Sequence, residues 1–266
     1  MASASATISS DPITQRFDAL RKRNAKALVI YITAGHPDRA RSLALLRGIA
    51  SAGADVIEIG VPFSDPLADG PVIQASSQRA LEQGMSYDGA LDLVSEAAVD
   101  VPLVLFSYLN PIVAAGPDAF ARAAAAGISG VLVTDLPVGG DPELEARIGE
   151  SPLAFIRLVA PTTPTPRMAE IARHGRGFVY LISRLGVTGM RSEIAAGLSD
   201  TIARLRSATN LPVCVGFGVS GPEQAAAVAR LADGVVVGSA VVRAAETSVD
   251  AAVLLVRSLR TAIDER

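Results

Sequence analysis

Eight short apolar runs, each separated from the next by an Ala-rich amphipathic stretch, are the feature that leaves this chain the fewest folds. The runs are Ala27–Thr33, Asp55–Ile59, Leu103–Ser107, Gly130–Thr134, Leu153–Leu158, Phe178–Ile182, Pro212–Gly216 and Gly234–Gly238. Their length, their Val, Ile and Leu content and the Gly or Pro at their borders mark them as strands. Helical periodicity lies between and after them, for example over Arg39–Ala52, Asp118–Ala126, Pro222–Ala232 and Val249–Asp264. Strands bounded by helices pair in parallel, because a parallel pair needs a long crossover. Eight such units within 266 residues predict a (βα)₈ TIM barrel. An extra N-terminal helix over Pro12–Arg23 would plug the N-terminal mouth. An open doubly wound sheet is the other fold left open. It would more often carry a glycine-rich fingerprint after its first strand, and here that turn reads Thr33-Ala34-Gly35-His36-Pro37.

An internal repeat supports the count of eight. Strands 2, 4, 6 and 8 follow a helix that ends in a breaker, as at Gly53, Gly127, Gly175 and Asp233. Strands 3, 5 and 7 begin after Pro102 and Pro152 or at Pro212. Proline there removes no ladder hydrogen bond. Alternation of this kind is what a barrel assembled from (βα)₂ units shows. Residues 1–11 read as a disordered tail, with neither the basic nor the apolar region of a signal peptide, and 12–266 as a single barrel domain.

Composition narrows the partners. Half the residues are apolar, enough for a large core, and the net charge of −3 comes with no basic stripe, so no nucleic acid is expected. One cysteine, Cys214, excludes an internal disulfide and fits a reducing compartment. No apolar run is long enough to span a bilayer. The expected setting is cytoplasmic.

The chemistry concentrates after strand 2. Glu58 interrupts an apolar strand, where a carboxylate pays a desolvation cost that valine would avoid. Asp69 follows on a loop long enough to fold over the barrel mouth, where barrels of this type carry their sites. Two carboxylates in one pocket can hold different protonation states, so one works as acid or base while the other stays charged. Asp65, before Pro66, suits a turn. At the far end of the chain, Gly216-Phe217-Gly218-Val219-Ser220 and Gly238-Ser239-Ala240 end strands 7 and 8. Their uncovered N–H groups, with a helix N-terminus nearby, suit a phosphate. The glycine-bearing loop Ser183–Gly189 adds a third element.

Scarcity excludes mechanisms. The only lysines, Lys22 and Lys26, precede strand 1, so no Schiff-base lysine stands at a strand end. Two distant histidines, His36 and His174, cannot make a zinc centre. His36 reads as a surface turn before Pro37, His174 as a helix C-terminal residue, and Cys214 as a small core residue. What remains is carboxylate acid–base catalysis on a phosphorylated substrate, with no metal and no covalent adduct.

The run Glu58-Ile59-Gly60-Val61-Pro62-Phe63-Ser64-Asp65-Pro66-Leu67-Ala68-Asp69-Gly70-Pro71 resembles the signature of the tryptophan synthase alpha chain. Five further segments resemble that family in the expected order. They are Thr33-Ala34-Gly35, Ser107-Tyr108-Leu109-Asn110-Pro111, Thr134-Asp135-Leu136-Pro137, Ser183–Gly189 and Gly216–Ser220. The likeness runs from about Phe17 to Arg260, with His36 standing where Asp or Tyr is more usual. It implies retro-aldol cleavage of indole-3-glycerol phosphate to indole and glyceraldehyde 3-phosphate. Glu58 would be the acid/base, and Asp69 would accept the indole N–H and stabilise the ring cation. Gly189, Gly218, Gly238 and Ser239 match the phosphate positions, while Phe217, Tyr108 and Tyr180 match positions around the indole. The loop after strand 2 and the Arg184–Gly197 segment would close over substrate, with Thr188 brought towards Asp69. The resemblance also implies a tryptophan synthase beta chain as partner, in an alpha2-beta2 heterotetramer, with pyridoxal phosphate held only by that partner. Its contact surfaces would be the loop after strand 2 and an Asn110-Pro111 turn. A free-standing indole-releasing lyase, a phosphosugar isomerase or epimerase on the same barrel, and a silent binding subunit stay open beside this reading.

Overall fold

Strand pairing in this chain closes on itself. The computed structural model describes residues 11–183, 192–216 and 218–265. Its strands are β1 (Ala27–Thr33), β2 (Val56–Gly60), β3 (Leu103–Ser107), β4 (Ile128–Val133), β5 (Ala154–Val159), β6 (Val179–Ile182), β7 (Val213–Gly216) and β8 (Gly234–Val237). Each is parallel to its neighbour in sequence, and β8 returns to β1 through the register Ala27↔Gly234 to Ile30↔Val237. This is the closed barrel, and the open doubly wound sheet is ruled out. The eight sequence-read strands differ from the observed ones by at most two residues at an end.

The helices are α1 (Pro12–Lys22), α2 (Arg39–Ser51), α3 (Pro71–Glu82), α4 (Tyr87–Ala97), α5 (Leu109–Ala114) and α6 (Ala119–Ala125), then α7 (Pro142–Glu150), α8 (Thr165–Arg173), α9 (Ser192–Ala208), α10 (Pro222–Leu231), α11 (Ser239–Thr247) and α12 (Val249–Asp264). None of the described helices is long and apolar enough to cross a membrane. One expectation is corrected: Asn110 and Pro111 do not form a turn but sit in the first turn of α5. Proline is tolerated there because the first N–H groups of a helix have no intrahelical acceptor.

Side chains alternate along each strand, so the barrel builds two cores. Leu28, Ile30 and Ile32 of β1 point outward into the layer shared with the helices. Val29, Val56, Val104, Leu132, Cys214 and Val236 fill the interior. The lower mouth is closed by α1. Asp11 caps it by accepting the Thr14 N–H at 2.9 Å, Pro12 opens it, and the 3–4 spacing of Ile13, Phe17 and Leu20 lays one apolar stripe into the barrel. Phe17 meets Phe178 with ring centroids 5.5 Å apart. Beside it, Asp55 ties three elements together: its Oδ2 accepts from the Leu28 N–H and from Arg260, both at 2.9 Å, and Arg16 lies 3.8 Å from its Oδ1. The N-terminal end is thus devoted to stability, leaving the other end for chemistry.

Candidate active site

The inward-facing pattern of β2 places Glu58 inside the barrel, in register with Tyr31 of β1 and Val104 of β3. It is 1 % exposed, and neither carboxyl oxygen has a hydrogen-bond partner among the described residues. Burial alone pushes its pKa up to about 8, so the carboxyl is protonated at neutral pH. A lone acid of this kind is costly to the fold and suited to giving and receiving a proton.

Asp69 is set differently. It lies on the loop between β2 and α3, half-buried, and its backbone carbonyl accepts from Gln74 Nε2 at 3.0 Å. Tyr108, just after β3, donates its hydroxyl to Asp69 Oδ2 at 3.1 Å and accepts the Ala68 N–H at 2.9 Å. Desolvation raises the Asp69 pKa to about 6, and the Tyr108 hydrogen bond opposes that rise. At pH 7 the pair therefore holds one neutral and one charged carboxyl.

Both acids face one cavity of about 320 Å³ at the C-terminal end of the strands. Tyr31, Phe106 and Tyr180 supply its aromatic wall, and Gly218, Gly238 and Ser239 line it as well. Gly218 has φ +89°, a conformation that favours glycine. Gly238 stands at the N-cap of α11, its carbonyl takes the Val241 and Val242 N–H groups at 2.9 and 3.0 Å, and among the described residues no side chain caps the helix, so the amides ahead of Val241 are left for a ligand. Of the sequence-predicted residues, Glu58, Asp69, Tyr180, Gly218, Gly238 and Ser239 line the cavity. Tyr108 reaches it through Asp69, and its ring packs against Phe63 with centroids 5.2 Å apart and planes tilted by 35°. Thr188, Gly189 and Phe217 lie outside the described residues, as does most of the segment expected to close.

Tyr31, Phe106, Ile73 and Arg243 were not singled out from sequence but also line the cavity. The first two were within reach: alternation on β1 and β3 turns them to the same side as Val29 and Val104. Tyr31 packs edge-on to Phe106 at 5.2 Å, and its hydroxyl lies 2.0 Å from where a Cβ on Gly60 would stand. Tyr180 stands in the same relation to Gly216, at 2.2 Å. Asp65 is exposed and accepts from the Ser64 hydroxyl at 2.5 Å, a turn residue as read.

His36 corrects the sequence reading. It is 1 % exposed, not a surface residue, and its Nε2 lies 3.1 Å from Glu246 Oε1 without forming a hydrogen bond. The loop after β1 is covered by α3 and α11, and Glu246 also takes Arg79 of α3 at 3.2 Å. Burial lowers the His36 pKa and the Glu246 charge opposes the change. His174 does end α8, and its carbonyl accepts Arg157 Nε at 3.1 Å. That arginine belongs to a larger groove of about 580 Å³ outside the barrel. Its buried charge is matched by Glu145, and among the described residues the groove carries no unpaired buried acid comparable to Glu58.

A (βα)₈ barrel with a buried neutral acid, a second charged acid and an open helix N-terminus in one cavity is an acid–base enzyme in outline, shaped for an anionic substrate. The family model described as tryptophan synthase alpha chain matches residues 17–265. A tryptophan synthase alpha chain of Caulobacter sp. (strain K31) is 49% identical over 236 residues, 87% of this chain and 86% of the relative. One from Gluconacetobacter diazotrophicus is 49% identical over 243 residues, covering 90% and 89%. The crystal structure of tryptophan synthase subunit alpha from Legionella pneumophila superposes with a TM-score of 0.88 at 33% identity, covering 97% of this chain and 100% of that one. Mycobacterium tuberculosis tryptophan synthase gives 0.87 at 37% identity, covering 96% and 99%. This chain belongs to the tryptophan synthase alpha chain family.

Proposed function

We propose that Glu58 and Asp69 divide between them the cleavage of indole-3-glycerol phosphate to indole and glyceraldehyde 3-phosphate, the reaction of this family. Glu58 starts protonated and gives its proton to indole C3. The ring nitrogen then carries the positive charge, and the Asp69 carboxylate, accepting the indole N–H, stabilises it as it develops. Glu58, now a carboxylate, takes the proton from the glycerol hydroxyl next to the ring as the carbon–carbon bond breaks. The bonding pair returns to the indole, the hydroxyl oxygen becomes the aldehyde, and Glu58 ends protonated as it began. The indole is itself the electron sink, which is why no lysine or metal is called for. Gly218, Gly238 and Ser239, with Gly189, would hold the phosphate, and Tyr180 and Phe217 would border the indole.

The observation that carries this reading is the state of Glu58: buried, unpartnered, neutral, and in one cavity with the open amides of α11. The partner would be a tryptophan synthase beta chain, in an alpha2-beta2 assembly, consuming the indole, with pyridoxal phosphate on the beta chain alone and the complex in the cytoplasm. Exposed Leu67 and Val113, on the loop after β2 and on α5, support contact through these elements. The test is indole release by the purified chain with and without a beta chain. Stimulation by the partner is the expected result, whereas full activity alone and no response to a beta chain would mark a free-standing lyase.

A further inference from the structure

Arg243 is out of place unless an anion joins it. It stands four residues after Ser239 on α11, and helix side chains lean towards the N-terminus, so its guanidinium is carried back over the first turn of its own helix. There it lines the same cavity as Gly218, Gly238 and Ser239. The N-terminal end of a helix carries a partial positive charge, so a cation there is repelled. Among the described residues the first turn of α11 has no acidic residue and Arg243 takes part in no ion pair, while the charged acid of the cavity, Asp69, is held by Tyr108 on the loop after β2. The next acid along the helix, Glu246, is engaged by Arg79 and sits against His36. Glu58, the buried unpartnered acid, looks into the same cavity, so this is the substrate's chamber and not a chance surface dent.

We infer that Arg243 is a binding residue for the phosphoryl group of the substrate, adding a side-chain cation to a site otherwise built from backbone. This deepens the function proposed above and rests on it. A phosphate dianion at the first turn of α11 would meet the amides and the guanidinium together, and relieve a repulsion present in the free protein. The arginine stays at the solvent-exposed rim, so its contribution is moderate and sensitive to salt.

The experiment is calorimetric titration of the full chain with sn-glycerol 3-phosphate and, separately, with indole, comparing wild type, Arg243→Gln and Arg243→Lys. Arg243→Gln should weaken glycerol 3-phosphate binding by about fivefold at low salt, leave indole binding unchanged, and lose most of its effect in about 0.5 M salt. Arg243→Lys should recover part of the loss. The melting temperature of the ligand-free Arg243→Gln protein should equal or exceed that of wild type, because a repulsion has been removed. Unchanged glycerol 3-phosphate affinity, an equal loss for both ligands, or a lower melting temperature would each overturn the inference. Failure of wild type to bind either ligand would instead count against the proposed function.

Discussion

The hydroxyl of Tyr108 is clamped between the Asp69 carboxylate, to which it donates at 3.1 Å, and the Ala68 N–H, which it accepts at 2.9 Å. One side chain from the end of β3 thereby fixes both the position and the charge of an acid on the loop after β2. Tyr108→Phe keeps the ring on Phe63 but removes the donor that favours ionised Asp69. The Asp69 pKa should rise above about 6, and the acid limb of the pH profile of kcat/KM should move upward with it. An acid limb at the wild-type position would show that Tyr108 does not tune Asp69.

The two carboxyls set opposite limbs of that profile. Asp69 must be charged, so activity falls as pH drops through about 6; Glu58 must start protonated, so activity falls as pH rises through about 8. A bell with its maximum near pH 7 is the expected shape of kcat/KM. Asp69→Asn should abolish the acid limb and lower turnover far more than affinity, because the charge acts as the ring cation forms.

Glu58 also leaves a mark on stability. Its folded pKa, about 8, lies above the ordinary value of 4.5. Below pH 4.5 both folded and unfolded chains hold this proton and nothing changes. Between the two values the unfolded chain releases it while the folded chain keeps it, so stability falls by up to about 1.4 kcal/mol per pH unit, and above pH 8 the slope ends. Glu58→Gln removes this penalty. Denaturant melts should find the variant equal to wild type near pH 4 and increasingly more stable towards pH 8. A constant difference across that range would mean that Glu58 is not held neutral.

Gly60→Ala tests the aromatic wall. Its new Cβ would fall 2.0 Å from the Tyr31 hydroxyl and 2.5 Å from Cζ, so the ring must leave its place. Pushed towards Phe106 and the cavity, it should compete with substrate, raising KM at least tenfold. Replacing Tyr31 by Val in the same chain should restore part of the affinity.

Much of this was legible in the sequence, for identifiable reasons. Parallel strands and amphipathic helices write their period directly into the chain, so the barrel and the α1 plug with Ile13, Phe17 and Leu20 could be read. Glu58 was conspicuous because a carboxylate in an apolar strand opposes its surroundings. Tyr31 was hidden because an aromatic in an apolar strand looks like core until its register partner is known to be Glu58. His36 and Arg243 were hidden for another reason. Their environment is made by α3 and α11, far apart in sequence, and no local pattern announces that Glu246 will meet Arg79 and His36 while Arg243 makes no ion pair among the described residues.

The central claim is that one carboxyl, Glu58, shuttles the proton from the glycerol hydroxyl to indole C3. The most direct test is indole release from indole-3-glycerol phosphate by wild type and Glu58→Gln, each with saturating beta chain, alongside binding of a non-cleavable substrate analogue. Gln keeps the size and can hydrogen-bond but cannot relay the proton. The account predicts a fall in turnover of about 10²–10⁴ with analogue affinity retained. Near-normal turnover in Glu58→Gln would contradict it.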